Sequence, residues 1–204
     1  MWIPFVLASA IILVIPGPTI ILVIGQSMTH GPRSVIPLVS GVLLGDLTAM
    51  TCSLLGLGAI LSTSALLFSV FKIIGALYLV YLGIRMWLLK PGDFSINHGA
   101  ADITASALFK RSFVVTALNP KSIAFFVAFF PQFINYQEPV IPQMVLLGSS
   151  FLILAGINGA LYALFGGSIC SVIGKQGVRK WINRSGGAAL VGAGIFTATL
   201  KQSG

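Results

Sequence analysis

Charged residues are scarce in this sequence. Only 8% of its 204 residues are Asp, Glu, Lys or Arg, and only four are acidic, whereas about 25% of the residues in a soluble domain are charged. Its two cysteines and two histidines are too few for a disulfide framework and do not fall at the spacing of metal ligands. The composition therefore excludes a water-soluble globular domain, a disulfide-rich secreted domain and a structural zinc site.

Apolar residues make up 56% of the chain and fall in long blocks. Crossing the hydrocarbon core of a bilayer takes about 20 helical residues, and six blocks reach that length. The predicted spans are Ile3–Gly25, Val35–Ile60, Leu66–Leu89, Ser112–Phe133, Val140–Cys170 and Ile182–Leu200. No basic residue precedes the first span, which is expected to be a retained helix rather than a signal peptide. These blocks predict an all-α, polytopic membrane protein with one transmembrane domain over residues 1–204.

The positive charges indicate which way the spans face. Lys and Arg concentrate in or beside the first, third and fifth loops, whereas the second and fourth loops hold none. The residues concerned are Arg33, Arg85, Lys90, Lys110, Arg111, Lys175, Arg179, Lys180 and Arg184. Because basic loops stay in the cytoplasm, both termini are predicted to lie outside. The net charge of +8 follows from this topology, so nucleic acid is not an expected partner.

This topology gives the two halves of the chain opposite orientations. Repeat one covers about residues 1–89, a cytoplasmic loop covers about 90–111, and repeat two covers about 112–204. Each repeat has three spans, and the first enters from outside while the second enters from inside. Such inverted repeats are typical of secondary transporters, whose substrate site lies between the halves.

The first helix of each predicted repeat is interrupted by proline. Pro16, Gly17 and Pro18, followed by Thr19, interrupt the first, and Asn119 and Pro120 interrupt the fourth. A proline removes a helical hydrogen bond and suits the first turn of a new segment. Two half-helix N-termini are therefore predicted, each able to bind a carboxylate. The structural alternative is that the prolines only bend their helices.

Two opposite charges are predicted inside the membrane. Lys121 follows Pro120, about nine residues or 13 Å into its span, and Asp46 lies near the middle of the second span. A charge at the bilayer centre costs about 2.5 to 3.5 kcal/mol, so such residues are expected to have a partner and a function. The structural alternative is an ion pair that only locks two helices together. Asn158, in the second helix of its repeat as Asp46 is in the other, either completes the site or makes a hydrogen bond between helices.

The motifs resemble those of the LysE/RhtB type of amino-acid exporter. The first-helix motif is Pro16–Pro18, the third-helix motif is Gly75–Leu79 with Tyr81–Gly83, and the fourth-helix motif is Asn119–Lys121 with Phe129–Phe133. Thr19 stands where an acidic or amide residue often follows the first motif in this family. The resemblance implies export of an amino acid or close derivative across the bacterial inner membrane, driven by the proton-motive force. It implies no enzymatic activity and no cofactor.

Other functions remain as alternatives at this point. Export of another small metabolite is one, and thiol-disulfide electron transfer through Cys52 and Cys170 is another. The predicted spans place these cysteines about 25 Å apart along the membrane normal, whereas a disulfide needs Cα atoms within about 7 Å. An intramembrane hydrolase would need a base such as histidine, and no predicted span contains one. The sequence leaves open which substrate is carried and whether several copies assemble.

Overall fold

The fold is helical throughout the part of the chain that the structure, a computed structural model, describes: residues 1–63, 65–88, 104–173 and 176–199. No strand occurs among these residues, which confirms the predicted fold class for them. The α-helices are α1 (Trp2–Val14), α2 (Pro18–His30), α3 (Val35–Thr63), α4 (Ala65–Leu88), α5 (Ala105–Ala117), α6 (Pro120–Ala124), α7 (Val140–Ile173) and α8 (Gln176–Thr199). A 3-10 turn (Pro32–Ser34) joins α2 to α3. A π turn (Phe125–Phe129) and a 3-10 turn (Phe130–Phe133) extend α6.

Length and hydropathy make two of these helices, α3 and α7, candidate membrane spans. Two bent pairs also meet the requirement when each pair is taken as one span. The helices α1 and α2 meet at 55°, and α5 meets the segment from Pro120 to Phe133 at 40°. The helices α4 and α8 each have 24 residues, about 36 Å at 1.5 Å per residue. The described residues thus contain two to four candidate spans, and the count of six stays a prediction.

The same order of helices occurs twice along the chain. A bent pair is followed by a long helix and then by a 24-residue helix, first as α1 to α4 and again as α5 to α8. The most extensive contacts join the two sets, because α3 packs on α5 and α7 while α4 packs on α8. Neither set of helices therefore forms a separate core.

Glycines allow some of these helices to approach closely. A methyl group at Gly45 of α3 would lie 2.7 Å from the Thr116 Cβ and 2.8 Å from the Phe113 carbonyl oxygen of α5. At Gly41, one turn earlier, it would overlap Ser112. The small-residue spacing of Gly41 and Gly45 is that of a close helix contact. This contact fixes α3, and with it Asp46, against the second bent pair.

The fourth predicted span begins earlier than the sequence indicated. Its helix α5 starts at Ala105 rather than at Ser112, and the Thr104 hydroxyl caps it by accepting a hydrogen bond from the Ala107 N–H at 3.3 Å. Lys110 and Arg111 therefore lie on this helix, and the predicted loop 90–111 is shorter. The apolar count missed this first part because its charges resemble those of a loop. Residues 90–103 of that loop, Leu89 and Lys175 lie outside the described residues.

Candidate functional site

The first helix break occurs where the proline motif predicted it. The helix α1 ends at Val14, Ile15 and Gly17 have extended backbones, and α2 begins at Pro18. Gly17 is the N-cap of α2. The Lys121 side chain passes close to it, because a methyl group at Gly17 would lie 3.3 Å from the Lys121 Nζ. A side chain at this position would therefore come into tight contact with the Lys121 ammonium group.

The carbonyl groups at the end of α1 accept hydrogen bonds from the second half of the chain. The last four carbonyls of a helix have no partner within it and must find one elsewhere. Lys121 Nζ donates to the carbonyl oxygens of Ile12 at 3.0 Å and Ile15 at 2.8 Å. The C-terminus of a helix carries about half a negative charge, so an ammonium group suits it. This position gives Lys121 an electrostatic partner that carries no formal charge.

Two side chains of α7 satisfy the carbonyls in between. Asn158 Nδ2 donates to the Leu13 carbonyl oxygen at 3.1 Å, and the Tyr162 hydroxyl donates to that of Val14 at 2.8 Å. Both donors lie on one face of α7, four residues apart. The interhelical hydrogen bond foreseen as one role of Asn158 is therefore present. Four consecutive carbonyls of the first half are thus bound by three side chains of the second half.

Asn119 caps the new helix at the second break. The Asn119 side chain accepts a hydrogen bond from the Lys121 backbone N–H at 3.0 Å, and Pro120 is the first residue of α6. Asn119 also donates through Nδ2 to the Thr19 Oγ1 at 3.1 Å. Thr116 donates to the same oxygen at 3.3 Å. These three side chains are buried, so Thr19 joins the start of α2 directly to the second break.

Asp46 faces the second break from α3. Its side chain is 3% exposed and interacts with the Ser122 side chain and with the charge of Lys121. No hydrogen bond joins Asp46 to Lys121 among the described residues, although the sequence suggested them as partners. The Asp46 Oδ1 atom is buried and has no hydrogen-bond partner. The site therefore holds a carboxylate oxygen with unused acceptor capacity, close to an ammonium group held by carbonyls.

The structure brings most of the predicted site residues together. Pro16, Gly17, Pro18, Thr19, Asn119, Pro120, Lys121 and Asn158 surround the two breaks, and Asp46 approaches from the side of Ser122. Sequence reasoning missed Tyr162, Ser122 and Thr116. Their positions in the sequence could have indicated two of them. Tyr162 is one helical turn after Asn158, and Ser122 directly follows Lys121.

Cys52, one of the two cysteines of the redox alternative, is not part of this site. Cys52 is a free thiol exposed on α3. Cys170 belongs to α7, and its side chain lies outside the described residues. In the part of the chain that the structure describes, no cluster of His, Cys, Asp or Glu could hold a metal ion.

Comparison with known proteins finds relatives that are named as efflux or membrane proteins. The chain is 30% identical over 202 residues to a homoserine/homoserine lactone efflux protein of Salmonella typhimurium, covering 99% of this chain and 98% of that protein. It is 35% identical over 152 residues to a leucine efflux protein of Enterobacter sp., covering 74% and 69%. A membrane protein of Vibrio cholerae is 28% identical, covering 98% and 97%. No solved structure matches.

The family assignment covers nearly the whole chain. The sequence model of the LysE type translocators matches residues 10–201, which include both helix breaks and all the predicted site residues. The apolar helices and the relative named a membrane protein place the chain in the bacterial inner membrane. The resemblance of the proline motifs to those of LysE/RhtB exporters is confirmed, and the chain belongs to the LysE type translocator family.

Proposed function

We propose that this protein is a secondary transporter that exports an amino acid or a close derivative across the bacterial inner membrane. The observation that carries the proposal is a pair of unlike groups, the half-buried Lys121 ammonium and the buried Asp46 carboxylate, at the meeting point of two broken helices. An amino acid has a complementary carboxylate and ammonium. Relatives named for efflux of homoserine and of leucine support this substrate class.

The transport unit has six spans in two inverted repeats, with both termini outside. Support comes from the repeated order of a bent pair, a long helix and a 24-residue helix, together with the basic loops of the sequence. The substrate site lies between the repeats, where such transporters place it. Transport moves one repeat relative to the other around this site.

Substrate binding requires an exchange of hydrogen bonds at Lys121. In this structure its ammonium is bound to the carbonyls of Ile12 and Ile15. The substrate carboxylate binds to the Lys121 ammonium, beside the positive N-terminal end of α6. The substrate ammonium then takes the place of Lys121 at the α1 carbonyls. Binding thereby replaces a contact between the two repeats with contacts to the substrate.

Asp46 either binds the substrate ammonium together with the α1 carbonyls or receives the coupling proton. Its Oδ1 atom has no partner in this structure, and an intramembrane carboxylate is well suited to carry a proton. The proton-motive force would then drive export through protonation of Asp46 on the outer side of the membrane and its release inside.

The test is uptake of labelled amino acids by inside-out membrane vesicles under an imposed proton gradient. We expect uptake by the unchanged protein, loss of uptake in Lys121→Met, and loss of the dependence on the gradient in Asp46→Asn. Lys110→Met is the matched control, since Lys110 is exposed on α5. Normal uptake by Lys121→Met, at equal protein content in the membrane, would contradict the proposed role of the ammonium.

A further inference from the structure

A cavity lies beside the first helix break. It has a volume of about 280 Å³ and is bordered by α1, the turns that follow Lys121, and α8. Among the described residues that line it, none has a polar side chain. They include Ile11, Ile12, Ile15, Phe125, Gly192 and Ala193.

The cavity shares two residues with the Lys121 site. Ile12 and Ile15 line it, and their carbonyl oxygens are the two that bind Lys121 Nζ. Phe125 also lines it, and its backbone N–H donates to the Lys121 carbonyl oxygen, one turn along the same helix. A molecule whose carboxylate binds to Lys121 therefore has this apolar space next to it.

We propose that the cavity receives the side chain of the exported amino acid, and that this side chain is apolar. Leucine, isoleucine, methionine and phenylalanine are the chemical class that fits. A cavity of about 150 Å³ is enough to bind benzene, so the larger cavity here accommodates a branched aliphatic or an aromatic side chain. This inference rests on the proposed function, because it assumes that an amino acid binds at Lys121.

The described residues of the cavity wall have no polar side chain, and this should favour apolar over polar amino acids. The hydroxyl group of homoserine, or the ammonium group of a lysine side chain, would lose its water and find no partner in the cavity. A smaller side chain would leave it partly empty, and one methylene in an apolar pocket changes selectivity by about 10 to 200-fold. We expect leucine to be transported at least about tenfold better than homoserine.

The cavity also opens toward the outside of the helix bundle, since Ile11 is 52% exposed. A lipid acyl chain has the same apolar chemistry as a leucine side chain and is the other source of an occupant. The two sources differ in their effect on transport. A lipid in the cavity would influence all substrates alike, whereas a side-chain pocket changes the ratio between substrates.

The experiment reduces the volume of the cavity by replacing Gly192 with a larger residue. A Cβ atom there meets nothing within 4 Å, so Gly192→Leu extends into open space at the edge of the cavity. Gly56→Leu is the matched control, because Gly56 is also helical and has the same open surroundings without lining the cavity. Uptake of labelled leucine, alanine and homoserine into inside-out vesicles is compared at equal membrane content of each protein.

We expect Gly192→Leu to lower the ratio of leucine to alanine uptake about tenfold and Gly56→Leu to leave it unchanged. Ala193→Ser, which adds a hydroxyl group to the wall, should raise the ratio of homoserine to leucine uptake. Equal transport of homoserine and leucine by the unchanged protein, or an equal effect of Gly192→Leu on all substrates, would overturn the pocket and leave amino-acid export intact. Absence of transport of any amino acid by the unchanged protein would overturn both proposals.

Discussion

The partner of Lys121 can be identified from the stability of single and double variants. Lys121 donates two hydrogen bonds to the α1 carbonyls and none to Asp46 among the described residues. Each hydrogen bond to a charged group is worth about 1.5 to 3 kcal/mol. Lys121→Met, which removes both, should therefore lower the free energy of unfolding by about 3 to 6 kcal/mol.

A buried ion pair would give a loss of similar size in the single variant, about 3 to 5 kcal/mol. The double variant Lys121→Met with Asp46→Asn separates the two explanations. If the pair alone stabilises the protein, removing both charges restores stability, because neither residue is left as an unpaired charge. If the carbonyls are the main partners, they still lack a donor in the double variant. We expect Asp46→Asn to recover no more than about 1 kcal/mol of the loss.

The measurement is denaturant-induced unfolding of the purified proteins in detergent, together with their abundance in membranes. Lys110→Met on the exposed face of α5 controls for loss of a lysine as such. A double variant as stable as the unchanged protein would refute the carbonyl partnership. It would also contradict the proposed exchange of hydrogen bonds at Lys121 on substrate binding.

Two further predictions concern α7 and the topology. Tyr162→Phe keeps the ring but removes the hydroxyl group that donates to the Val14 carbonyl oxygen at 2.8 Å. This variant should lower the free energy of unfolding by about 1 kcal/mol. An unchanged midpoint of unfolding would contradict the role of Tyr162 in capping α1. Reporter fusions at Gln137 should read as periplasmic and those at Gln176 as cytoplasmic. A cytoplasmic signal at Gln137 would contradict six spans with an external N-terminus.

The helix breaks were predictable because their cause is local. Pro18 and Pro120 cannot donate a backbone hydrogen bond and fit the first turn of a helix, so the sequence alone places the starts of α2 and α6 at these residues. The apolar blocks likewise predict α3 and α7 within a few residues of their observed ends. The local sequence is enough to predict the helix breaks and the long helices, since each depends on residues that are close together in the chain.

The partners of the polar side chains were not predictable in the same way. Opposite charge suggested Asp46 for Lys121, but the groups that bind its ammonium are backbone carbonyls, which every residue has and no sequence letter marks. They become acceptors only because α1 ends at Val14 and leaves them unpaired. Tyr162 and Val14, which are 148 positions apart, meet through the packing of α1 on α7, and nothing in either local sequence indicates that contact.

The corrected start of α5 also removes a difficulty for the inverted-repeat proposal. With a start at Ser112, Lys121 would be only about 13 Å into its span, closer to one membrane surface than inversion requires. The structure gives both α1 and α5 13 residues before their breaks, about 20 Å in each case. In the proposed topology the two helices enter from opposite sides, and breaks after the same length would then lie at similar depth near the centre of the bilayer. Their meeting at Thr19 and Asn119 is therefore the geometry that two inverted repeats need in order to share one site.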